Sequence, residues 1–299
     1  MKKKLFAVLL SAAMIMTVLA GCSQSQQSSQ AEYAVKTVSP GILTVALSPD
    51  FAPMEFVDVS KTGQDQYVGF DVSLAKFLAE EFGLTLEIKA MGFEACQAAV
   101  QAGAVDMSIS GFSKTEERAA NYNLSDYYYA GDNETKQIII TTAANEGKLT
   151  TAADYSGKTV GAQTASLQMN YCTTQLPSDT IIKEFGAIDT AIEALRNGQI
   201  DAVAVAEGNA NVIINQIQGL IKTGFAFDVS ADEENNLILL QKGNDALTAE
   251  VNKALAKAYA AGYYPKWYAE AQEMAGLDTA EEVVIPDETE TGSESGSGN

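Results

Sequence analysis

The sequence predicts an α/β protein made of two similar lobes, each a parallel sheet with helices on both faces. Three observations carry this. Short apolar runs of strand length alternate with amphipathic helical stretches from about residue 41 to 275. The stretch A-V-Q-A-G-A-V-D-M-S-I-S-G from Ala99 matches A-L-R-N-G-Q-I-D-A-V-A-V-A from Ala194, each reading as a helix end, a glycine and a buried strand opened by Asp106 or Asp201. Apolar residues make up 46% and charged residues 19% of the 299, an ordinary globular balance.

In the first half, Leu43 to Leu47 reads as a strand. Asp71 is the expected N-cap of a helix that reaches Phe82, with Leu74, Ala75, Leu78 and Phe82 on one face and Gly83 as the stop. Leu84 to Ile88 is a strand, Phe93 to Ala102 a helix closed by Gly103, and Val105 to Ser110 a strand. Thr115 opens the next helix, with Glu116 and Glu117 suited to its positive end. The second half repeats the scheme with strands at Thr159 to Ala162, Ile181 to Phe185 and Ile200 to Val205. Its helices start near Leu167, Thr190 and Gly208. Ligands in such sheets bind beyond the carboxyl ends of the strands. Here those ends are Ser110-Gly111 and Val205-Ala206, facing each other across a cleft.

The N-terminus reads as an address. Lys2, Lys3 and Lys4 precede a mostly apolar run of about fifteen residues, short of the roughly 20 a membrane-spanning helix needs. It ends in Leu19-Ala20-Gly21-Cys22, which resembles the bacterial lipobox. Residues 1–21 are therefore expected to be a signal peptide and Cys22 the lipidated mature N-terminus. Residues 22–40, rich in Ser and Gln, are expected to be a flexible tether, and 276–299 an acidic disordered tail.

Removing residues 1–21 leaves 16 basic against 39 acidic residues, a net charge of −23. Such a field repels nucleic acid and anionic lipid, so no nucleic-acid partner is expected. The chain has no histidine, which removes the commonest general base and zinc ligand and argues against an enzyme. No phosphate loop or Cys-x-x-Cys pair is present, so no cofactor or metal is expected. Cys96 and Cys172 read as small buried hydrophobes instead of a disulfide.

Five strings together resemble the polar amino-acid-binding proteins of ABC importers: F-A-P-M-E-F at 51–56, Y-V-G-F-D-V-S-L-A at 67–75, S-G-F-S-K-T-E-E-R at 110–118, L-S-D-Y-Y-Y at 124–129 and I-D-A-V-A-V-A-E-G at 200–208. The resemblance implies a type II periplasmic-binding-protein fold, with two hinge strands, Ile138 to Thr142 and Leu237 to Leu240, linking the lobes. The first lobe would comprise 41–137 and 238–275, including Trp267, and the second lobe 138–237. It further implies a monomer that captures an amino acid or related small carboxylate by lobe closure. The loaded protein would dock on an ABC permease while held at the membrane through Cys22.

By the same resemblance, Arg118 grips the ligand carboxylate through paired charged hydrogen bonds. Ser113 supplies a hydroxyl and N–H to it, and Gly111 a carbonyl to the ligand amine. Phe51 and Phe93 face the ligand side chain. In the second lobe Ser166 and Leu167 open a helix whose N–H groups suit an anion. The family's usual aspartate for the ligand ammonium is replaced by Ala206. Either the adjacent Glu207 bends in to substitute, or the ligand lacks a free α-amino group. Two other roles for the fold remain. A dehydratase of the cyclohexadienyl type would need a cleft carboxylate, for which Glu207 is the obvious candidate. A ligand-sensing co-receptor would present the closed lobes to a signalling partner.

Overall fold

The computed structural model describes residues 35–128, 136–233 and 235–277. The expected signal peptide, Cys22, the tether up to residue 34, Tyr129 and the tail from residue 278 lie outside the described residues. Contact with the folded body begins before Gly41. Val35 joins the first core, and the Val38 N–H donates to Asp106 Oδ1 at 2.6 Å.

Two five-stranded sheets form the body. The first runs in the order β5-β1-β6-β13-β7, from Thr85–Ala90, Ile42–Leu47, Met107–Ser113, Asn236–Gln241 and Tyr122–Leu124. The second runs β10-β9-β11-β8-β12, from Ile181–Phe185, Thr159–Gln163, Ala202–Ala206, Gln137–Thr142 and Leu220–Ala226. In each sheet three neighbouring strands are parallel, as the alternating pattern predicts. The sheets are nevertheless mixed, because β13 pairs antiparallel with β6 and β7, and β8 antiparallel with β11 and β12. The two antiparallel insertions are the two expected hinge strands. Each enters from the opposite lobe and so runs against its new neighbours. A small third sheet, β2 (Asp50–Phe51), β3 (Glu55–Val57) and β4 (Tyr67–Val68), escapes sequence reading because its strands are too short to show a period.

The helices are α1 (Phe70–Phe82), α2 (Phe93–Gln101), α3 (Glu116–Asn121), α4 (Leu167–Gln175), α5 (Ile188–Arg196), α6 (Glu207–Gln216), α7 (Asp245–Ala260) and α8 (Tyr263–Met274). α1 stops at Gly83, whose φ of 67° costs a glycine little and whose N–H bonds the last carbonyls. The N-cap of α1 is Gly69, not the expected Asp71. Asp71 instead lies in the first helical turn, fully buried, and its carboxylate faces the end of β6. On the outer face of the first sheet α1, α7 and α8 share one core, in which Leu74 and Leu78 are fully buried. Trp267 packs its ring on Phe77 there, centroids 5.5 Å apart. Burying one such leucine contributes about 1.5–3 kcal/mol.

The internal sequence match has a structural counterpart. Asp106 accepts from Thr44 N at 2.7 Å, and Asp201 accepts from Thr159 N at 2.8 Å. In each lobe an aspartate just before the third parallel strand ties down the start of its neighbour. Cys96 and Cys172 are free and buried, and burial pushes both thiols up to about 12.

Candidate functional site

The carboxyl ends of β1, β6 and β9 converge on one cavity between the lobes, enclosing about 580 Å³ of empty space, part of it open to solvent. Seven of the residues singled out from sequence line it: Phe51, Phe93, Gly111, Ser113, Arg118, Ser166 and Leu167.

Arg118 is placed by its own helix start. Thr115 caps α3, its hydroxyl accepting from the Arg118 N–H at 3.1 Å, which fixes the arginine's backbone. The side chain is 5% exposed. Nη1 donates to the Ser113 carbonyl at 2.8 Å, Nη2 to the Ala165 carbonyl across the cleft at 3.2 Å, and Nε to Gln97 Oε1 at 3.5 Å. Three of five guanidinium N–H groups are thus used, and one on each terminal nitrogen remains for a ligand. The guanidinium lies 5.6 Å from the Phe93 ring centroid and 5.1 Å from that of Phe112, two rings stacked 4.7 Å apart. They hold its plane. Burial lowers the Arg118 pKa to about 10, which leaves it charged at neutral pH.

Gly111 has φ 56°, and a Cβ there would stand 2.7 Å from Phe51 Cε1. Glycine is therefore needed for Phe51 to lie over the strand end. Ser166 caps α4, its hydroxyl accepting from Met169 N at 3.1 Å. Its N–H is used as well, donating to the Gln163 carbonyl at 3.2 Å.

Glu207 does not join this site. It begins α6, where its carboxylate accepts from Lys222 Nζ at 2.8 Å and lies 3.4 Å from Lys136 Nζ. Burial works against its charge, but the Lys222 hydrogen bond and the charges of Lys222 and Lys136 outweigh it and hold the carboxyl below its ordinary value. The strand β11 ends one residue earlier, so the chain turns Glu207 away from the cleft. Ala206 is buried and also lies outside the cavity lining, whereas Ala204 and Val205 reach it.

Sequence reasoning missed several lining groups. Gln137 and Asn236 are the first residues of the two hinge strands, and the signal available was a single amide opening each apolar run. Asn236 is 6% exposed and its Nδ2 has no partner among the described residues. Asp50 lies beside Phe51. Its Oδ1 accepts from Ser48 Oγ at 2.8 Å, and its Oδ2 accepts from Gln163 Nε2 at 3.0 Å and Ile188 N at 2.7 Å, both from the other lobe. Fully buried Glu55 also lines the cavity and accepts from the Ser110 hydroxyl. Its neighbour Asp71 accepts from Gly111 N at 2.9 Å and Tyr128 Oη at 3.1 Å. Burial and the mutual repulsion of the two carboxyls push Glu55 well up, and burial pushes Asp71 up to about 6. Glu55 Oε2 and Asp71 Oδ1 have no hydrogen-bond partner among the described residues.

Residues 43–271 match the family of bacterial extracellular solute-binding proteins, family 3. The chain belongs to this family. The binding protein is 30% identical over 260 residues to the arginine-binding extracellular protein ArtP of Bacillus subtilis, covering 84% of this chain and 91% of that one. It is 27% identical to the L-cystine-binding protein TcyJ of Escherichia coli, over 74% and 79% of the two chains. Among solved structures, the amino acid ABC transporter substrate-binding protein AbpA of Streptococcus pneumoniae bound to L-arginine matches with a TM-score of 0.72 and 31% identity, over 79% of this chain and 96% of that one. The protein is thus an extracellular solute-binding protein of this family, with the two-lobed α/β fold of its relatives. No helix among the described residues is long and apolar enough to cross a membrane.

Proposed function

We propose that the protein captures an amino acid in the inter-lobe cavity, with the ligand's carboxylate on Arg118 and Ser113, and presents it to the permease in the closed form. The observation that carries this is Arg118. It is a buried guanidinium lining the cavity with no carboxylate among its hydrogen-bond partners and two N–H groups to spare. A buried cation of this kind calls for an anion. Phe51 and Phe93 cover the ligand's apolar portion, the Gly111 carbonyl takes its amine, and Leu167 and Ser166 border it from the second lobe. The names of the relatives, which include arginine-, histidine- and cystine-binding proteins, favour an amino acid.

The boundaries belonging to this reading are a first lobe of 41–137 and 238–275 and a second of 138–237. The mature chain is a monomer, lipidated at Cys22 and tethered to the membrane by it. With Glu207 turned to its lysines, the acid a dehydratase of this fold was expected to use is outside the cavity.

A thermal-shift series with the twenty common L-amino acids tests the reading. Ligand binding raises the melting temperature with dose, and Arg118→Ala abolishes the shift. No shift with any of them, or an unchanged shift in the variant, would overturn it. Mass spectrometry of the mature N-terminus, showing either diacylglyceryl-Cys22 or unmodified cysteine, decides the anchor.

A further inference from the structure

The two lobes also meet away from the ligand. Helix α8 is rooted in the first lobe, where Tyr264, Tyr268 and Ala271 belong to the core around α1. Helix α6 is rooted in the second, where Ala210 and Ile213 belong to a separate core. Their carboxyl ends come together. Asn215 Nδ2 donates to the Gly276 carbonyl at 2.7 Å, and Gln216 Nε2 donates to the Ala275 carbonyl at 3.2 Å. None of these four residues lines the cavity.

The end of α8 is shaped to offer these two carbonyls. Gly276 has φ 79°, its N–H donates to the Glu273 carbonyl, and the Leu277 N–H donates back to that of Gln272. Such a turn closes a helix on a left-handed glycine. It satisfies the carbonyls of Gln272 and Glu273 and leaves those of Ala275 and Gly276 for an outside donor. A helix carboxyl end also carries partial negative charge, which favours donors placed against it. Asn215 and Gln216, the last two residues of α6, supply them from the other lobe. Both are exposed residues, so the core of the second lobe does not depend on their side chains. The contact is made with the cleft shut, since Arg118 reaches Ala165 and Asp50 reaches Ile188 across the cavity at the same time. The family match ends at residue 271, so the two carbonyls lie outside the stretch matched by the family.

We propose that Asn215 and Gln216 are positioning residues for ligand capture. They latch the second lobe to the carboxyl end of α8 and let go when the lobes part, so they hold the cleft shut in the empty and the loaded protein alike. A ligand then meets a protein already biased towards its binding form. The latch touches no ligand, so it tightens the hold on every ligand by the same factor. This goes beyond the amino-acid reading and does not depend on which solute is bound.

The test combines amide hydrogen exchange with isothermal titration on the wild-type chain and on the Asn215→Ala/Gln216→Ala double variant. The Ile188 N–H is the reporter, because its partner Asp50 lies across the cleft. In the ligand-free double variant this amide is expected to exchange about tenfold faster, the scale of two ordinary hydrogen bonds lost. L-Arginine and L-glutamine are expected to lose affinity by one common factor of about tenfold at most. Asn215→Lys keeps a donor and adds a charge suited to the helix end, so its Ile188 amide should exchange no faster than in wild type. An unchanged rate at Ile188 in the double variant overturns the proposal. So does tighter binding, a loss for one amino acid and not the other, or an Asn215→Lys chain that exchanges as fast as the double variant. Faster exchange in a chain that binds neither amino acid leaves the latch standing and counts only against the amino-acid reading.

Discussion

Glu207 accepts a hydrogen bond from Lys222 at 2.8 Å and lies 3.4 Å from Lys136, so its charge is spent on the surface of the second lobe. Glu207→Gln should leave ligand affinity within about twofold of wild type and cost at most about 1 kcal/mol of stability, the scale of a solvent-accessible ion pair. Titration calorimetry and a denaturant curve measure the two quantities. A tenfold loss of affinity would return Glu207 to the site.

Arg118→Ala should weaken binding by about 100-fold or more. Two charge-assisted hydrogen bonds contribute about 1.5–3 kcal/mol each. Arg118→Lys should recover little of this, because a point ammonium cannot reproduce the fork that bonds the ligand, Ser113 and Ala165 together. Titration of both variants with the ligand found in the thermal-shift series checks the claim.

Ala206 and the orientation of Glu207 leave the far strand end without a carboxylate for the ligand's α-ammonium. The α-hydroxy analogue of a bound amino acid should therefore bind within about tenfold of the amino acid, a smaller loss than removing the partner of a buried ion pair would give. A loss of a thousandfold would mean that another group takes the ammonium.

The Glu55–Asp71 pair makes stability depend on pH in a definite direction. Both folded pKa values lie above their ordinary ones, so each group's contribution is complete below the usual carboxylate range. It is lost as pH rises through about 6 for Asp71, and Glu55, pushed well up by burial and by Asp71, acts in the same direction. The groups facing the pair are Tyr128, whose hydroxyl stays protonated, and Asp50, whose charge adds to the repulsion. Asp58 and Asp154 act in the opposite sense, losing their contributions only as pH falls below about 4. The melting temperature should therefore fall from pH 5.5 to 8.5, on the order of a few degrees. Glu55→Gln, which keeps a donor for Asp71 and an acceptor for Ser110, should flatten that slope. An unchanged slope in this variant would place the titration elsewhere.

Gly111→Ala should lower both stability and affinity, by roughly 1–2 kcal/mol for the left-handed backbone alone, with Phe51 displaced as well. A crystal structure of the variant showing Phe51 unmoved would contradict this.

Much of this was legible in the sequence, and the failures have physical causes. Strand and helix order follows from local periodicity, while the hinge strands and Arg118 were pointed to by the resemblance to the family. Helix α5 was expected from Thr190 but begins at Ile188, because its first N–H is capped by Asp50, 138 residues away. No local pattern announces a cap supplied by another lobe. Asp71 has the composition of an N-cap, yet it is drawn inside by Gly111 and Tyr128, partners that only the tertiary fold brings near. The orientation of Glu207 depended on where β11 stops, and a one-residue difference there decides which side of the sheet a carboxylate faces.

Most of the bonds that span the cleft share one habit, the bond from Gln163 Nε2 to Asp50 Oδ2 being a side-chain exception. Arg118 and Gln97 reach the carbonyl of Ala165, Asn209 reaches that of Ala52, Asn215 and Gln216 reach those of Gly276 and Ala275, and Asp50 reaches the amide of Ile188. In each case a side chain on one lobe meets main chain on the other. Main chain is the same whatever residue carries it, so the receiving lobe can exchange its side chains without unfastening the clasp. Such a protein can drift from one nutrient to another through the residues that line its cavity while the closing movement, and the shape offered to the permease, are inherited intact.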